Sequence, residues 1–77
     1  MTKLAYEIVR LLSPVIGFGL ASSTVNMQCK KIGILPEQLS SENINEFAIK
    51  IEEILQIFAG DHIALEIKQK ILNLHES

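Results

Sequence analysis

The side chains able to do chemistry are few and widely spaced. His62 and Glu66 stand four residues apart, a spacing that on a helix puts two potential metal ligands on one side, with Asp61 adjacent. A zinc site needs three or four converging ligands. Asp61 is placed to cap a helix instead, and His75 projects from a different turn and angle, so a solvated His62/Glu66 pair is expected. Cys29 is the only cysteine, which excludes an internal disulfide framework and a cysteine-cluster zinc site. It falls on an apolar helical stripe and reads as an inert, buried thiol. Ser22, Ser23 and Thr24 offer hydroxyls with no identifiable activating base. Gly17 and Gly19 sit inside a helix-like run and not after a strand, so they do not form a phosphate-cradling loop. The pattern predicts no enzyme, no cofactor and no metal.

A second constellation points to DNA. Gln69 and Asn73 are also four apart and could meet adenine edges from one helix, with Lys68 and Lys70 near phosphates. A helix, a turn at Gly60 and a following reader helix would then form a helix-turn-helix. The preceding helix is long and acidic, however, the turn is very short, and the net charge of −2 lacks a basic footprint. A small DNA-binding regulator is therefore the alternative reading, and nucleic acid is not the expected partner.

The elements that would position these residues are all helical. Seventy-seven residues allow one domain, 1–77. With 48% apolar and 21% charged residues the chain can form a core and is too sparsely charged for a disordered tail. Apolar residues recur at the helical period and no run alternates as a strand would. The spacing predicts a compact, all-α, four-helix domain with helices over 2–12, 14–32, 40–59 and 62–75. Ser13-Pro14 would separate the first two as N-cap and first helical residue, with a kinked continuous helix as the alternative. Gly33 would end the second, with Ile34 folding back on Cys29. A turn would fall at Pro36. Ser40 or Ser41 would cap the third helix, with Leu39 and Ile44 as its hydrophobic staple. Gly60-Asp61 would turn sharply into the fourth. Gly17, Gly19, Ala21 and Ser23 would allow close helix packing, a local bend or small-ligand gap being the lesser alternative. Residues 11–29 carry no formal charge, but their interspersed Ser, Thr, Asn and Gln make them a poor membrane span. With no export signal and a lone thiol, a cytoplasmic location is expected.

The helical faces carry the functional expectation. Winding each helix at about 100° per residue places Phe18, Ala21, Val25, Cys29 and Ile32 on the core side of the second helix. The core stripe of the third runs through Ile44, Phe47, Ala48, Ile51, Ile54, Leu55 and Phe58, and that of the fourth through Ile63, Ala64, Ile67, Ile71 and Leu74. Ile16, Leu20 and Met27, together with Ile49, Ile57, Leu65 and Leu72, point elsewhere. A chain this short hides only about 60% of its unfolded surface, so two-sided helices are hard to cover with one copy. These seven residues are the predicted interface of a homo-oligomer, a dimer by preference, or of a contact with a helical partner. Residues 1–33 carry four cations against one acid, and residues 34–77 eight acids against three lysines, so charge could orient such a contact. The function predicted is a non-catalytic protein–protein interaction or regulatory module.

Overall fold

The computed structural model describes residues 2–74; the expectation for His75 lies outside them. Three α-helices account for most of the chain: α1 (Lys3–Ile16), α2 (Phe18–Lys31) and α3 (Ile44–Leu72), with a short 3₁₀ turn at Pro36–Gln38. The architecture is all-helical as predicted, but with three helices where the sequence predicts four, because α3 runs on through Gly60. That residue is itself non-helical, at φ 86° and ψ 167°, and divides α3 into arms over 44–59 and 61–72. A straight 29-residue helix would be about 43 Å long at 1.5 Å per residue. The molecule's longest dimension is 28 Å, so the arms must fold back on each other. The Lys68 ammonium reaches the Glu52 carboxylate at 3.0 Å, and each residue lies eight positions from Gly60. The pair therefore clasps an antiparallel hairpin.

The boundary between the first two helices is also corrected. Ser13-Pro14 does not interrupt α1. The Ser13 hydroxyl donates to the Val9 carbonyl one turn back at 2.7 Å instead of capping a new helix, and Pro14 lies within the last turn. The break falls at Gly17, at φ 86° and ψ 154°. Its N–H donates to Ser13 O at 2.8 Å and its carbonyl accepts from Ala21 N at 2.9 Å, so one residue closes α1 and opens α2. Gly17 and Gly60 share a backbone region essentially reserved for glycine. Proline removes one hydrogen bond from a helix, whereas this conformation redirects the chain, which is why the glycine sets the boundary.

The end of α2 follows its local signal, and the start of α3 does not. The Ile34 N–H donates to Cys29 O at 2.9 Å and the Gly33 N–H to Lys30 O at 3.1 Å, closing α2 as the Gly33-Ile34 pattern predicts. Helix α3 starts at Ile44, later than the expected Ser40 or Ser41. The Ser40 hydroxyl accepts from Glu42 N, and the Ser40 N–H donates to Asn43 Oδ1 at 2.9 Å, so these polar side chains hold a turn over 40–43. Leu39 and Ile44 at the two ends of that turn both enter the core.

Four neighbour relations define the bundle. Helix α1 packs on α2 directly after Gly17. A groove of about 280 Å³ between α1 and the second arm of α3 is lined by Arg10, Pro14, Val15, Ile63, Glu66 and Lys70 among others. The hairpin joins the two arms of α3, and the remaining side brings α2 against the first arm. The Thr2 hydroxyl donates to the Leu39 carbonyl at 3.4 Å, so α1 and α3 start at one end of the molecule and run to hinge glycines at the other. The core runs along the inside: Ile8, Leu12, Val25, Phe47, Ile51 and Leu55 are among its fully buried members.

The small-residue expectation is corrected as well. Gly17, Gly19 and Ser23 are exposed, and a Cβ built on Gly17 or Gly19 would meet nothing within 4 Å. No helix approaches closely there, and the bend held as the lesser alternative is what Gly17 provides. Alanine at Gly17 or Gly60 is therefore predicted to lower stability by about 1–3 kcal/mol through backbone strain, while Gly19→Ala raises it by about 0.5–1 kcal/mol through helix propensity. Urea midpoints of the three variants test the sign in each case.

Candidate interaction surface

Six of the seven predicted interface residues, Leu20, Met27, Ile49, Ile57, Leu65 and Leu72, are exposed on the isolated chain. Ile16 is not. It is half-buried and packs against the core, because α1 continues past Pro14 and carries it into the last turn. The exposed residues lie on two sides of the bundle. Ile49, Leu65 and Leu72 flank the outer groove of the α3 hairpin, where the angular positions of Glu52 and Lys68 also fall. Leu20 and Met27 on α2, with Ile57 on the first arm of α3, flank the next groove round.

Two aromatic residues depart from the helical-wheel reading. Phe18 and Phe58 were placed on core stripes, yet they are 65% and 59% exposed. A wheel gives direction around an axis and ignores level along it. Phe18 is the first residue of α2 and Phe58 stands two before Gly60, so both overhang the end of the core. Their nearness to the hinge glycines was the signal that could have found them. Tyr6 and Leu35 are likewise exposed, at separate places in the chain.

The interior holds two polar groups of interest. Cys29 is fully buried, and burial together with the negative charge of Glu37 pushes its thiol up to about 11. The thiolate is the reactive form, so this is an environment for an inert cysteine. Gln28, one residue earlier, is 2% exposed and its Nε2 has no hydrogen-bond partner. Its polar type favours solvent, yet on the helical wheel it falls beside Ala21, Val25 and Ile32 on the core side of α2.

The other candidates are scattered. His62 and Glu66 line one shallow depression with Leu65 and Gln69, and Glu66 also pairs with Lys70 at 3.7 Å. Among the described residues no group of three or more His, Cys, Asp or Glu is placed to hold a metal ion. Gln69 and Asn73 are exposed, but Lys68 is engaged with Glu52 and the hairpin is folded tightly back. A helix-turn-helix instead crosses its helices at about 90–120°. Among the described residues no helix is long and apolar enough to cross a membrane; Gly17 divides the uncharged stretch between two helices.

No protein-family model, no curated protein and no solved structure matches this chain.

The interior makes two predictions. Cys29 should resist a thiol-reactive reagent such as dithiobis-nitrobenzoate at neutral pH and react fully once the chain is unfolded in urea; rapid labelling of the native protein would contradict its burial. Because the folded thiol titrates above the unfolded one, its contribution to stability is fully present below about pH 8.5–9 and is lost as pH rises toward 11. Replacing Gln28 by Met removes an unpaired buried donor and should raise the unfolding free energy by about 1 kcal/mol, measured by urea denaturation.

Proposed function

We propose that this protein is a non-catalytic interaction module that associates with a second copy of itself through the apolar surface left outside its own core. The supporting observation is the exposure of Ile57, which at 82% is the barest large apolar side chain described, in company with Leu20, Met27, Ile49, Leu65 and Leu72. A monomer of this size rarely leaves contiguous apolar patches beyond about 300–600 Å² without a use for them. Each Leu or Ile fully withdrawn from water contributes roughly 1.5–3 kcal/mol, so covering a few of them outweighs the ordering of their side chains. Chemistry enters only through the contact, since the fold itself is compatible with many activities. The lone cysteine, buried and unpaired, fits a reducing, cytoplasmic setting. A DNA-reading role draws no support from a helix whose Lys68 is held by Glu52.

Light scattering behind a sizing column is the test. The reading predicts a mass twice that of the 8.6 kDa chain at high micromolar concentration, falling toward the single-chain value on dilution. A single-chain mass throughout would overturn it.

A further inference from the structure

The two hinge glycines do more than turn the chain. They share one end of the bundle, and the residues beside them are bare: Phe18 follows Gly17, while Ile57 and Phe58 precede Gly60. The antiparallel register of α2 with the first arm of α3 places Leu20 at the level of Ile57, three residues in from each hinge. Two of the chain's three phenylalanines thus protrude at the end where the backbone carries no side chain at Gly17, Gly19 or Gly60. A Cβ at any of those glycines would meet nothing within 4 Å, so the surface beside each ring is open.

We infer that this hinge end is the homotypic interface, with two copies meeting about a two-fold axis and Phe18 and Phe58 of each standing over the exposed glycines of the other. Three observations select a second copy as the occupant. An isologous contact needs one self-complementary surface, and the hinge end supplies protruding apolar rings beside glycines that put no side chain in the way of a second copy. Residues 11–29 and 54–60 carry no formal charge and Asp61 is the one charged residue beside the hinges, so two copies approach without facing rows of like charge, and no cation stands there to draw an anionic lipid surface. The area also suits a small dimer. Phe18, Leu20, Ile57 and Phe58 leave on the order of 400–500 Å² bare, given the roughly 150–250 Å² that one large aromatic can bury. Two such patches with their glycine rims approach the lower bound of about 1,200 Å² for specific interfaces. A contact of that size belongs to the weak, transient class.

This inference rests on the self-association proposed above, and its test separates the two. Sedimentation velocity over a concentration series is run on the wild type and on three variants: Phe58→Glu, Gly19→Leu and Leu72→Glu. Gly19 is exposed and inside a helix, so leucine there keeps the fold and puts a bulky side chain on the open surface beside Phe18; circular dichroism reports unchanged or higher helicity. The expected result is a dissociation constant raised at least tenfold by Phe58→Glu and by Gly19→Leu, and unchanged by Leu72→Glu. A dimer weakened by Leu72→Glu alone would overturn the hinge-end assignment and leave self-association standing. A wild type that sediments as a single chain at every concentration would overturn both.

Discussion

The fold depends on a backbone constraint at two positions. Gly17 and Gly60 occupy nearly the same dihedral angles, in a region where a side chain is strained whatever space surrounds it. Each lets one helix end and the next begin with no intervening loop, so the incoming and outgoing helices become neighbours at once. Two such joints convert what would be long, two-sided helices into two hairpins, and the hairpins close a core that neither could bury alone. The Lys68–Glu52 pair, about three-quarters or more buried at both side chains, fixes how one hairpin is folded. Losing either partner would leave the other charge poorly solvated, so the pair specifies geometry more than it adds stability.

The same economy explains what stays outside. A tight joint has no loop to fold back over the end of the core, and the apolar residues flanking it have nothing above them. Phe18 and Phe58 are bare for that reason, while Leu39 and Ile44, beside the longer connection between α2 and α3, are buried. At that opposite end the 3₁₀ turn packs on α2, and the Thr2 hydroxyl donates to the Leu39 carbonyl. One end of the bundle is closed by its own chain and the other is not.

Much of this was legible in the residues, and the misses have physical causes. The helical period gave the class and most of the core: Ala21, Val25, Cys29, Phe47, Ile51, Ala64 and Ile71 are buried where their stripes predict. Gly33-Ile34 gave the end of α2 down to its hydrogen bonds. The division at Ser13-Pro14 failed because proline removes one hydrogen bond without redirecting the chain, and a glycine three residues on determined the break. The start of α3 failed because Ser40 and Asn43 form a turn with side-chain bonds that compete with capping. For the surface, angular position identified six of seven residues as exposed and missed the two phenylalanines, whose exposure depends on height along the helix. Buried Gln28 carried a positional signal, since it falls beside Ala21, Val25 and Ile32 on the core side of its helix, but its polar residue type argues the other way.

The central claim is that the open hinge end is where this protein meets its own kind. Isotope-filtered nuclear Overhauser spectroscopy on an equal mixture of ¹³C-labelled and unlabelled chains observes such contacts atom by atom. A hinge-end interface gives cross-copy contacts from the ring protons of Phe18 and Phe58 and the methyl groups of Ile57 and Leu20. Contacts confined to Ile49, Leu65 and Leu72, or none between copies at concentrations well above the dissociation constant, would contradict it.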